Sequence, residues 1–405
     1  MANRVETYEQ RFGALLGEDQ AAVAFSFART ALRATLTALG LQPGDEVVLS
    51  PLTCKVVPLT LLSLALKPVY ADVDPGTLNL CPDAVAAALG PATGAILFQH
   101  TYGHSAGLGA VHDVAAKHGL PLVEDRAQGL PYTREAGVPG LHGKAALFSN
   151  NARKPLPAGS GGLAVTPDAH LADGIRAYRD RLPHRTRAAE QRLRLERWVH
   201  RYVVRPRLYW PLYELNRRLD ANYRTRPVEQ EIKTEITDTS FQISTAQANA
   251  GLRWLDRLAP TLTHRIENAR AYTGALASLA TVTVPFPTGD EPLYYVPVLT
   301  DHKETLLAQA RKQRVELIAW PVRTPIFPIE AEEILPAYGY RPGSCPAAEA
   351  VARRLVGLPT DPSTHAQTRA RMIALLTQFD SAYPNVQEPI DPKLLPALIA
   401  DRHHG

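Results

Sequence analysis

Polar side chains follow four short apolar segments in the first half of the chain. The segments EVVLSP, AILFQ, PLVE and AALF are followed closely or directly by Thr53, His100, Asp125 and Ser149. In an open α/β sheet, ligands bind beyond the carboxyl ends of the strands. Lys154 comes soon afterwards in FSNNARKPLPAGSGG, where prolines and a glycine cluster predict a rigid hairpin. We therefore expect these side chains to surround one ligand.

Asp125 and Lys154 together indicate what that ligand needs. Taken alone, the carboxylate is readily explained as a turn former, and the lysine is readily explained as a solvated residue of a turn. As a pair they suit a molecule with a cationic nitrogen at one end and an amine-reactive carbonyl at the other. Pyridoxal phosphate (PLP) has this character, because its ring nitrogen pairs with a carboxylate and its aldehyde forms a Schiff base with lysine.

The phosphate of such a cofactor needs N–H donors at a helix N-terminus, together with hydroxyl groups. The segment FARTAL predicts the start of a helix that offers the backbone amides of Ala28 and Arg29 and the hydroxyl of Thr30. Ser149 offers a second hydroxyl. We expect these residues to bind phosphate, with helix capping or a surface position as the alternative for each one singly.

The elements that position these residues alternate as in an α/β domain. Their short, continuous apolar strands are typical of a mostly parallel sheet with helices on both faces. Helices are predicted at 28–41, 56–66, 82–90 and 108–119, and strands at 46–51, 68–73, 95–100 and 121–125. The segment 242–276 predicts one or two amphipathic helices. Beyond residue 285, strands are predicted at 294–300 and 315–320, and helices at 302–314, 346–357 and 364–379.

This pattern predicts two domains. The large, cofactor-binding domain is placed at 1–255 and a smaller C-terminal α+β domain at 256–405, with an Arg-rich helical insert at about 179–235. From Arg179 to Arg226 the chain has fourteen arginines and five acids, a local charge of +9 in a chain whose net charge is +4. The insert is interpreted as a solvated helical hairpin, a source of cations for a diphosphate-bearing substrate, or a contact with an anionic membrane surface. No nucleic-acid motif accompanies the charge, so no nucleic acid is expected.

Composition and short sequence patterns indicate the cellular compartment and exclude some classes of protein. A hydrophobic content of 45% and a charged content of 21% are globular values. The polar start MANRVETYEQRF argues against a signal peptide, and the longest apolar stretch, 56–66, is too short to span a bilayer. The three cysteines are widely separated, without metal-ligand spacing, so we expect no metal site and a reducing cytoplasm. A dehydrogenase is excluded because no GxGxxG follows the first strand.

Five stretches make the sequence recognisable, in the order PGDEVVLSPLT, KPVYADVDPGTLNL, HTYGHSAGLGAVHDVAAKHGLPLVEDRAQG, FSNNARKPLPAGSGGLAVT and CPAAEAVARRLVGLPTDP. It resembles the DegT/StrS family of PLP-dependent sugar aminotransferases, and the resemblance covers nearly all of the chain apart from about 179–235. It implies a fold type I transferase, a homodimer with a shared active site, and transfer of an amino group from an amino acid to a keto sugar. The family expectation is a glutamate donor and a nucleotide-linked sugar or a related cyclitol.

The resemblance also implies residue roles. Lys154 matches the family's Schiff-base lysine, which also moves the proton during transamination. Asp125 matches the partner of the pyridinium nitrogen, and Gln128 the side chain beside the phenolic oxygen. Ser149 matches a phosphate ligand. Ser240 falls on an asparagine that reaches the phosphate from the second subunit.

Other positions depart from the family pattern. Ala28 and Arg29 replace its phosphate-binding glycine and hydroxyl residue, and Cys54 replaces an aromatic ring that stacks on the cofactor. These changes leave open a different PLP reaction on the same fold, such as dehydration or aldol cleavage, and a PLP-binding regulator without catalytic activity. Retention of the lysine argues against dehydration, because the family's dehydratases carry histidine there. His100, Tyr102 and Trp320 are further pocket candidates, with packing as the alternative for each.

Overall fold

A computed structural model describes most of the chain. The described residues are 3–131, 141–151, 154–186, 227–286 and 291–383, together with 191, 195 and 199. The greater part of the Arg-rich insert, and the helices predicted within it, therefore lie outside the described residues. Within the described part, no helix is long and apolar enough to cross a membrane.

One seven-stranded sheet organises the first half of the chain. Its spatial order is β1-β7-β6-β5-β4-β2-β3. The five strands β6, β5, β4, β2 and β3 run parallel to their neighbours, whereas β7 is antiparallel to both β6 and β1. The predicted mostly parallel sheet is thereby confirmed. Its strands are β1 (Ala21–Phe25), β2 (Glu46–Leu49), β3 (Lys67–Tyr70), β4 (Thr93–Gln99), β5 (Leu122–Asp125), β6 (Ala145–Ser149) and β7 (Gly162–Thr166).

Helices cover both faces of this sheet. Alternate residues of β2 and β4 enter two different cores, because successive side chains of a strand point to opposite faces. Leu49 and Leu97 pack on one face with α2, while Val48 and Ile96 pack on the other with α4 and α5. The helices of this part are α1 (Arg4–Ala14), α2 (Ala28–Ala38), α3 (Val56–Leu62), α4 (Pro82–Ala88), α5 (Leu108–Lys117) and α6 (Ala169–Asp180).

The strand at one edge of the sheet, β1, is protected by side chains. The backbone N–H of Ala24 donates to the Glu9 carboxylate over 2.7 Å, and Arg179 pairs with the same carboxylate over 2.6 Å. Phe25 forms a single bridge to Gln242 on the side away from β7. An edge strand covered in this way cannot readily pair with another chain.

A second, smaller sheet lies in the C-terminal part. Strands β8 and β9 pair antiparallel, and single bridges at Thr283 and Ile318 add to their outer sides. One continuous core surrounds them, and it includes side chains of α9 and α12 such as Tyr272 and Phe379. The elements are α7 (Val228–Thr239), α8 (Thr245–Leu255), α9 (Leu258–Leu276), β8 (Tyr295–Leu299), α10 (Lys303–Lys312), α11 (Pro346–Arg354), β9 (Leu355–Pro359) and α12 (Ala366–Ala382).

The C-terminal part corrects two sequence predictions. The helix predicted at 346–357 ends at Arg354, and the chain continues directly as β9. The strand predicted at 315–320 is reduced to the bridge at Ile318. Short apolar runs suit a buried helix and a buried strand equally, so the run LVGLP could not be separated from the helix before it. The predicted domain boundary at 255/256 stays a prediction. Residues of α8 pack in the same hydrophobic core as α1, and residues of α9 pack in the same core as β8.

Candidate functional site

Asp125 lies at the carboxyl end of β5, in the middle of the large sheet. It is 8% exposed, and its Oδ1 accepts a hydrogen bond of 2.9 Å from the backbone N–H of Ala127. Burial raises the pKa of this carboxyl, while the Ala127 hydrogen bond and the positive charge of Lys154 oppose the rise. The fold thus brings Asp125 within electrostatic reach of Lys154, as the sequence predicts.

Lys154 lies on the connection between β6 and β7. The turn closes where the backbone N–H of Asn150 donates to the carbonyl of Gly161 over 2.9 Å. Gly161 has a φ of +132°, a conformation that favours glycine. On the other side, the hydroxyl of Tyr8 donates to Asn150 Oδ1 over 3.2 Å and ties the hairpin to α1. The glycine cluster of the sequence therefore forms the predicted turn.

The start of α2 packs directly against the start of β7. A Cβ on Gly162 would lie 2.3 Å from the Cα of Ala28, so only glycine allows this approach. Gly162 is also the register partner of Ser149 on β6. The N-terminus of α2 has no side-chain cap. Ala28, Ser149 and the Lys154 hairpin consequently adjoin at one edge of the sheet.

The side chains of the remaining phosphate candidates already have partners within the chain. Arg29 forms an ion pair with Glu235, and the hydroxyl of Thr30 donates to the carbonyl of Thr239 over 2.9 Å. Ser240 accepts a hydrogen bond of 3.0 Å from Arg33 of the same chain. Their roles at the phosphate stay predictions. Helix α7 begins inside the predicted helical insert and extends to Thr239, beyond the predicted end at about 235, whereas its contacts with α2 were not predicted.

Gln128 and Tyr102 connect the strand ends to the C-terminal part. Gln128 Oε1 accepts a hydrogen bond of 3.0 Å from the backbone N–H of Tyr102, whose φ is +56°. The Tyr102 hydroxyl donates to the carbonyl of Trp320 over 2.5 Å, and the Tyr102 carbonyl accepts from the N–H of Tyr294 over 2.7 Å. Tyr102 is fully buried and therefore packs between the two parts, whereas Trp320 is only partly buried.

Cys54 lies beside Phe327, a residue that sequence reasoning did not identify. It forms a parallel bridge with Phe327, and the N–H of Phe327 donates to the carbonyl of Thr53 over 2.8 Å. The rings of Phe327 and Trp320 are 6.3 Å apart between centroids. The backbone of Cys54, whose thiol is half-buried, thus pairs with a segment of the C-terminal part that carries aromatic residues.

His100 belongs to a buried charged network on the face of the sheet opposite Asp125. Its Nε2 lies 2.9 Å from Glu124 Oε2, and Arg126 donates to the same oxygen over 2.8 Å. Glu124 Oε1 accepts from the backbone N–H groups of His142 and Gly143 over 2.7 and 2.9 Å. Burial raises the pKa of Glu124, but Arg126 and His100 outweigh it and hold that pKa well below its ordinary value.

The buried imidazole gives the protein an expected acid sensitivity. Burial, reinforced by the charge of Arg126, lowers the pKa of His100 to about 4. The unfolded state, with a histidine pKa of about 6.5, binds more protons between these values, so stability falls as the pH falls. From pH 7 to pH 5, we expect His100 to lower the free energy of unfolding by about 2 kcal/mol.

Urea denaturation of the wild type and of His100→Gln at both pH values measures this effect. The variant should lose less stability on acidification than the wild type. His118→Gln, at an exposed position on the surface, serves as the control. Equal acid sensitivity of His100→Gln and the wild type would contradict the assignment.

The site has no sign of a metal centre within the described residues, where no group of three or more His, Cys, Asp or Glu side chains could hold an ion. The carboxylate of Asp125 and the amine of Lys154 lie within electrostatic reach of each other. A site of this kind suits an organic cofactor with a positive ring nitrogen and a reactive carbonyl.

Known proteins share this fold and this sequence pattern. The structure of DesI in the presence of its TDP-sugar product matches with a TM-score of 0.71 and 26% identity, covering 98% of this chain and 87% of that one. The spore coat polysaccharide biosynthesis protein SpsC of Bacillus subtilis (strain 168) is 39% identical over 173 residues, 43% of this chain and 44% of SpsC. The erythromycin biosynthesis sensory transduction protein EryC1 of Saccharopolyspora erythraea is 29% identical over 378 residues, 92% of this chain and 88% of EryC1.

The similarity to DesI confirms the predicted fold type I architecture. The match to SpsC spans less than half of that protein's length. The sequence model of the DegT/DnrJ/EryC1/StrS aminotransferase family matches residues 1–201 and 211–377, on both sides of a short gap within the Arg-rich insert. The chain therefore belongs to the DegT/DnrJ/EryC1/StrS aminotransferase family, whose cofactor is pyridoxal phosphate.

Proposed function

We propose that this chain transfers the amino group of an amino acid, with glutamate as the donor, to a keto sugar carried on a nucleotide. The observation that carries the proposal is the buried carboxylate of Asp125 at the end of β5, within electrostatic reach of Lys154 on the β6–β7 hairpin. The TDP-sugar product of DesI and the polysaccharide role in the name of SpsC support a sugar substrate. Amino-sugar formation for a polysaccharide or an antibiotic is the corresponding pathway class.

The residues present fit pyridoxal phosphate. Oδ1 of Asp125 accepts a hydrogen bond from Ala127, and burial nevertheless raises the pKa of this carboxyl, so the residues around it stabilise its negative charge only in part. A buried carboxylate of this kind is stabilised when a cation reaches it, as a protonated ring nitrogen does. We assign Asp125 to that nitrogen, Gln128 to the phenolic oxygen, Lys154 to the aldehyde and Ser149 to the phosphate. When bound, the cofactor supplies an electron sink for the bond broken at the substrate carbon.

Two side chains carry the proposed chemistry. Lys154 Nζ would hold the cofactor through its aldehyde, and with an amino donor bound in its place the lysine amine would be free to move a proton. The free amine then accepts a proton from the α-carbon of the donor, and in the second half-reaction it delivers one to the carbon of the keto sugar. The carboxylate of Asp125 stays ionised throughout and stabilises the positive charge on the ring nitrogen.

The assembly and location are part of the proposal. We infer a cytoplasmic homodimer in which Ser240 of each subunit contributes to the site of the other. The three free cysteines Cys54, Cys81 and Cys345 support a reducing compartment. We assign the Arg-rich segment between α6 and α7 to the diphosphate of the substrate, with a solvated hairpin or contact with an anionic membrane surface as the alternatives.

Absorption spectroscopy of the purified protein tests the function. Adding PLP should produce a visible band from its attachment to lysine, L-glutamate should bleach the band, and a dTDP-linked keto sugar should restore it. A band that forms but persists with every amino donor would contradict the aminotransferase. If L-glutamate bleaches the band but no keto sugar nucleotide restores it, the proposed acceptor is contradicted.

A second candidate is a PLP-binding regulator without catalytic activity. The observation that favours it is the name of EryC1, a sensory transduction protein that this chain matches over 92% of its own length. The altered residues Cys54, Arg29 and Ser240 are compatible with such a role. The persistent band described above is the result that this candidate predicts.

A further inference from the structure

Three segments of the chain meet at the turn that follows β2. The backbone N–H of Phe327 donates to the carbonyl of Thr53 over 2.8 Å, and the N–H of Lys55 donates to the carbonyl of Phe327 over 2.7 Å. Helix α7 packs against α3, which begins at Val56 directly after this turn. Cys54, in the middle of the turn, therefore lies where the large sheet, α7 and the C-terminal part come together.

The carboxylate of Glu231 on α7 connects these segments through side chains. Its Oε1 lies 2.6 Å from Lys55 Nζ, and its Oε2 accepts a hydrogen bond of 2.7 Å from the hydroxyl of Tyr338. Tyr338 ends a short 3₁₀ helix of the C-terminal part, Glu332–Tyr338. One oxygen of Glu231 thus holds the turn after β2, and the other holds the C-terminal part.

Burial makes these contacts strong. The side chains of Glu231 and Lys55 are 9% and 16% exposed, and Tyr338 is buried. Removing one partner of a buried ion pair is strongly destabilising, whereas an exposed pair contributes little. Burial, and then the hydrogen bond to Glu231, raise the pKa of the Tyr338 phenol, and the Cys54 thiol adds to this rise. The phenol therefore stays protonated as a donor, and it lies within electrostatic reach of the thiol.

The partners of Glu231 are also fixed independently of it. The carbonyl of Tyr338 accepts a hydrogen bond of 2.8 Å from the hydroxyl of Tyr70 on β3. The next residue, Gly339, has a φ of +77°, and a Cβ there would lie 2.7 Å from Cγ of Pro68. Helix α7 is held to α2 by the contacts described above. Loss of the Glu231 carboxylate should therefore loosen the turn at Cys54 without unfolding either side.

We propose that Glu231 and Lys55 are positioning residues, which close α7 and the C-terminal part around Cys54 and hold its thiol at the ring of the cofactor. The inference rests on the proposed function, in which Cys54 stands where the family has a ring stacked on the cofactor. A thiol is a small, soft side chain and makes fewer contacts than an aromatic ring. Its position therefore depends on the segments that enclose it.

Alkylation by iodoacetamide, measured separately for each cysteine by mass spectrometry, tests how firmly the turn is held. In the protein without cofactor, Glu231→Gln should raise the alkylation rate of Cys54 about tenfold to a hundredfold. The reagent reaches a half-buried thiol through local opening, and loss of a charge-assisted hydrogen bond makes that opening easier. Lys55→Arg preserves the ion pair and should keep a rate close to that of the wild type.

Two controls accompany this measurement. Cys81 is half-buried like Cys54 but precedes α4, and its rate in the same samples should not change. Glu349→Gln breaks an equivalent contact elsewhere in the C-terminal part, where Glu349 accepts a hydrogen bond of 2.7 Å from the hydroxyl of Tyr340. This variant should leave the alkylation of Cys54 unchanged.

Glu231→Gln leaves a buried ammonium without its carboxylate, so a second variant protects the test from misfolding. The double variant K55M/E231Q removes both charges and should show the same faster alkylation of Cys54. An unchanged rate at Cys54 in both variants, or an equal rise at Cys54 and Cys81, would overturn the inference.

Adding PLP separates this inference from the proposed function. Saturating PLP should slow the alkylation of Cys54 in the wild type, and this protection should be weaker in Glu231→Gln. If the cofactor band forms but Cys54 is not protected, the inference fails and the proposed function stands. If the wild type forms no band, the proposed function fails, and the alkylation rates without cofactor decide whether Glu231 holds the turn.

Discussion

Replacing Lys154 with alanine is expected to abolish transamination, with a fall in kcat of at least about 10⁴-fold. The reason is that one amine serves both as the attachment point of the cofactor and as the carrier of the proton, and no other group within the described residues is placed to take over both roles. The hairpin should persist, because the backbone hydrogen bond from Asn150 to Gly161 and the Tyr8 contact do not involve the lysine side chain.

The measurement is a stopped-flow record of the cofactor band with L-glutamate, together with a steady-state assay of amino-sugar formation. Lys144 provides a matched control, because it precedes the opposite end of the same strand β6 and is exposed. Lys144→Ala should keep full activity. Turnover by Lys154→Ala within tenfold of the wild type would remove Lys154 from the mechanism.

Asp125→Asn is expected to lower the catalytic activity without lowering the stability of the protein. An amide cannot stabilise a protonated ring nitrogen, so kcat should fall by about 10²–10³-fold, the range seen when one electrostatic contact to a reacting group is lost. The folded protein without cofactor should nevertheless be at least as stable as the wild type. Burial has raised the pKa of Asp125, so keeping this carboxylate ionised lowers the stability of the unliganded protein.

The sign of the pH dependence follows from the same shift. Between the ordinary pKa of an aspartate and its raised value in the fold, the folded state binds more protons than the unfolded state. The stability of the wild type without cofactor should therefore decline as the pH rises through this window, and the decline should be smaller in Asp125→Asn. Denaturation curves of both proteins across the acidic range test this, with the exposed Asp113→Asn as control. A less stable and fully active Asp125→Asn would contradict both assignments.

Much of the site was predictable because it depends on strand ends. Parallel strands present their carboxyl ends at one edge, so apolar runs followed by Asp125, Ser149 and the Lys154 hairpin had to meet once the sheet was inferred. Glu124 was missed although it is the neighbour of Asp125. Adjacent residues of a strand point to opposite faces, and nothing local in the sequence indicates which face is functional and which holds a buried ion network.

Contacts between distant segments were not predictable from local pattern. Glu235 meets Arg29 across 206 positions of sequence, and Phe327 meets Cys54 through backbone hydrogen bonds that any residue pair could make. The end of α11 was misplaced for a different reason. The residues from Val351 to Leu358 satisfy the periodicity of a helix and of a buried strand alike, and the tertiary pairing of β9 with β8 decides between them.

The pairing of β1 with β7 has a consequence for synthesis. Ala21–Phe25 is made early, but its partner strand ends at Thr166, and the bridge from Phe25 to Gln242 comes later still. At about 5–20 residues per second, the uncharged segment AAVAF waits roughly 7 to 30 s after it is made for the strand that covers it. Until β7 is made, the edge of β1 that pairs with it has no partner strand. The first strand of the chain is therefore among the last to join that sheet.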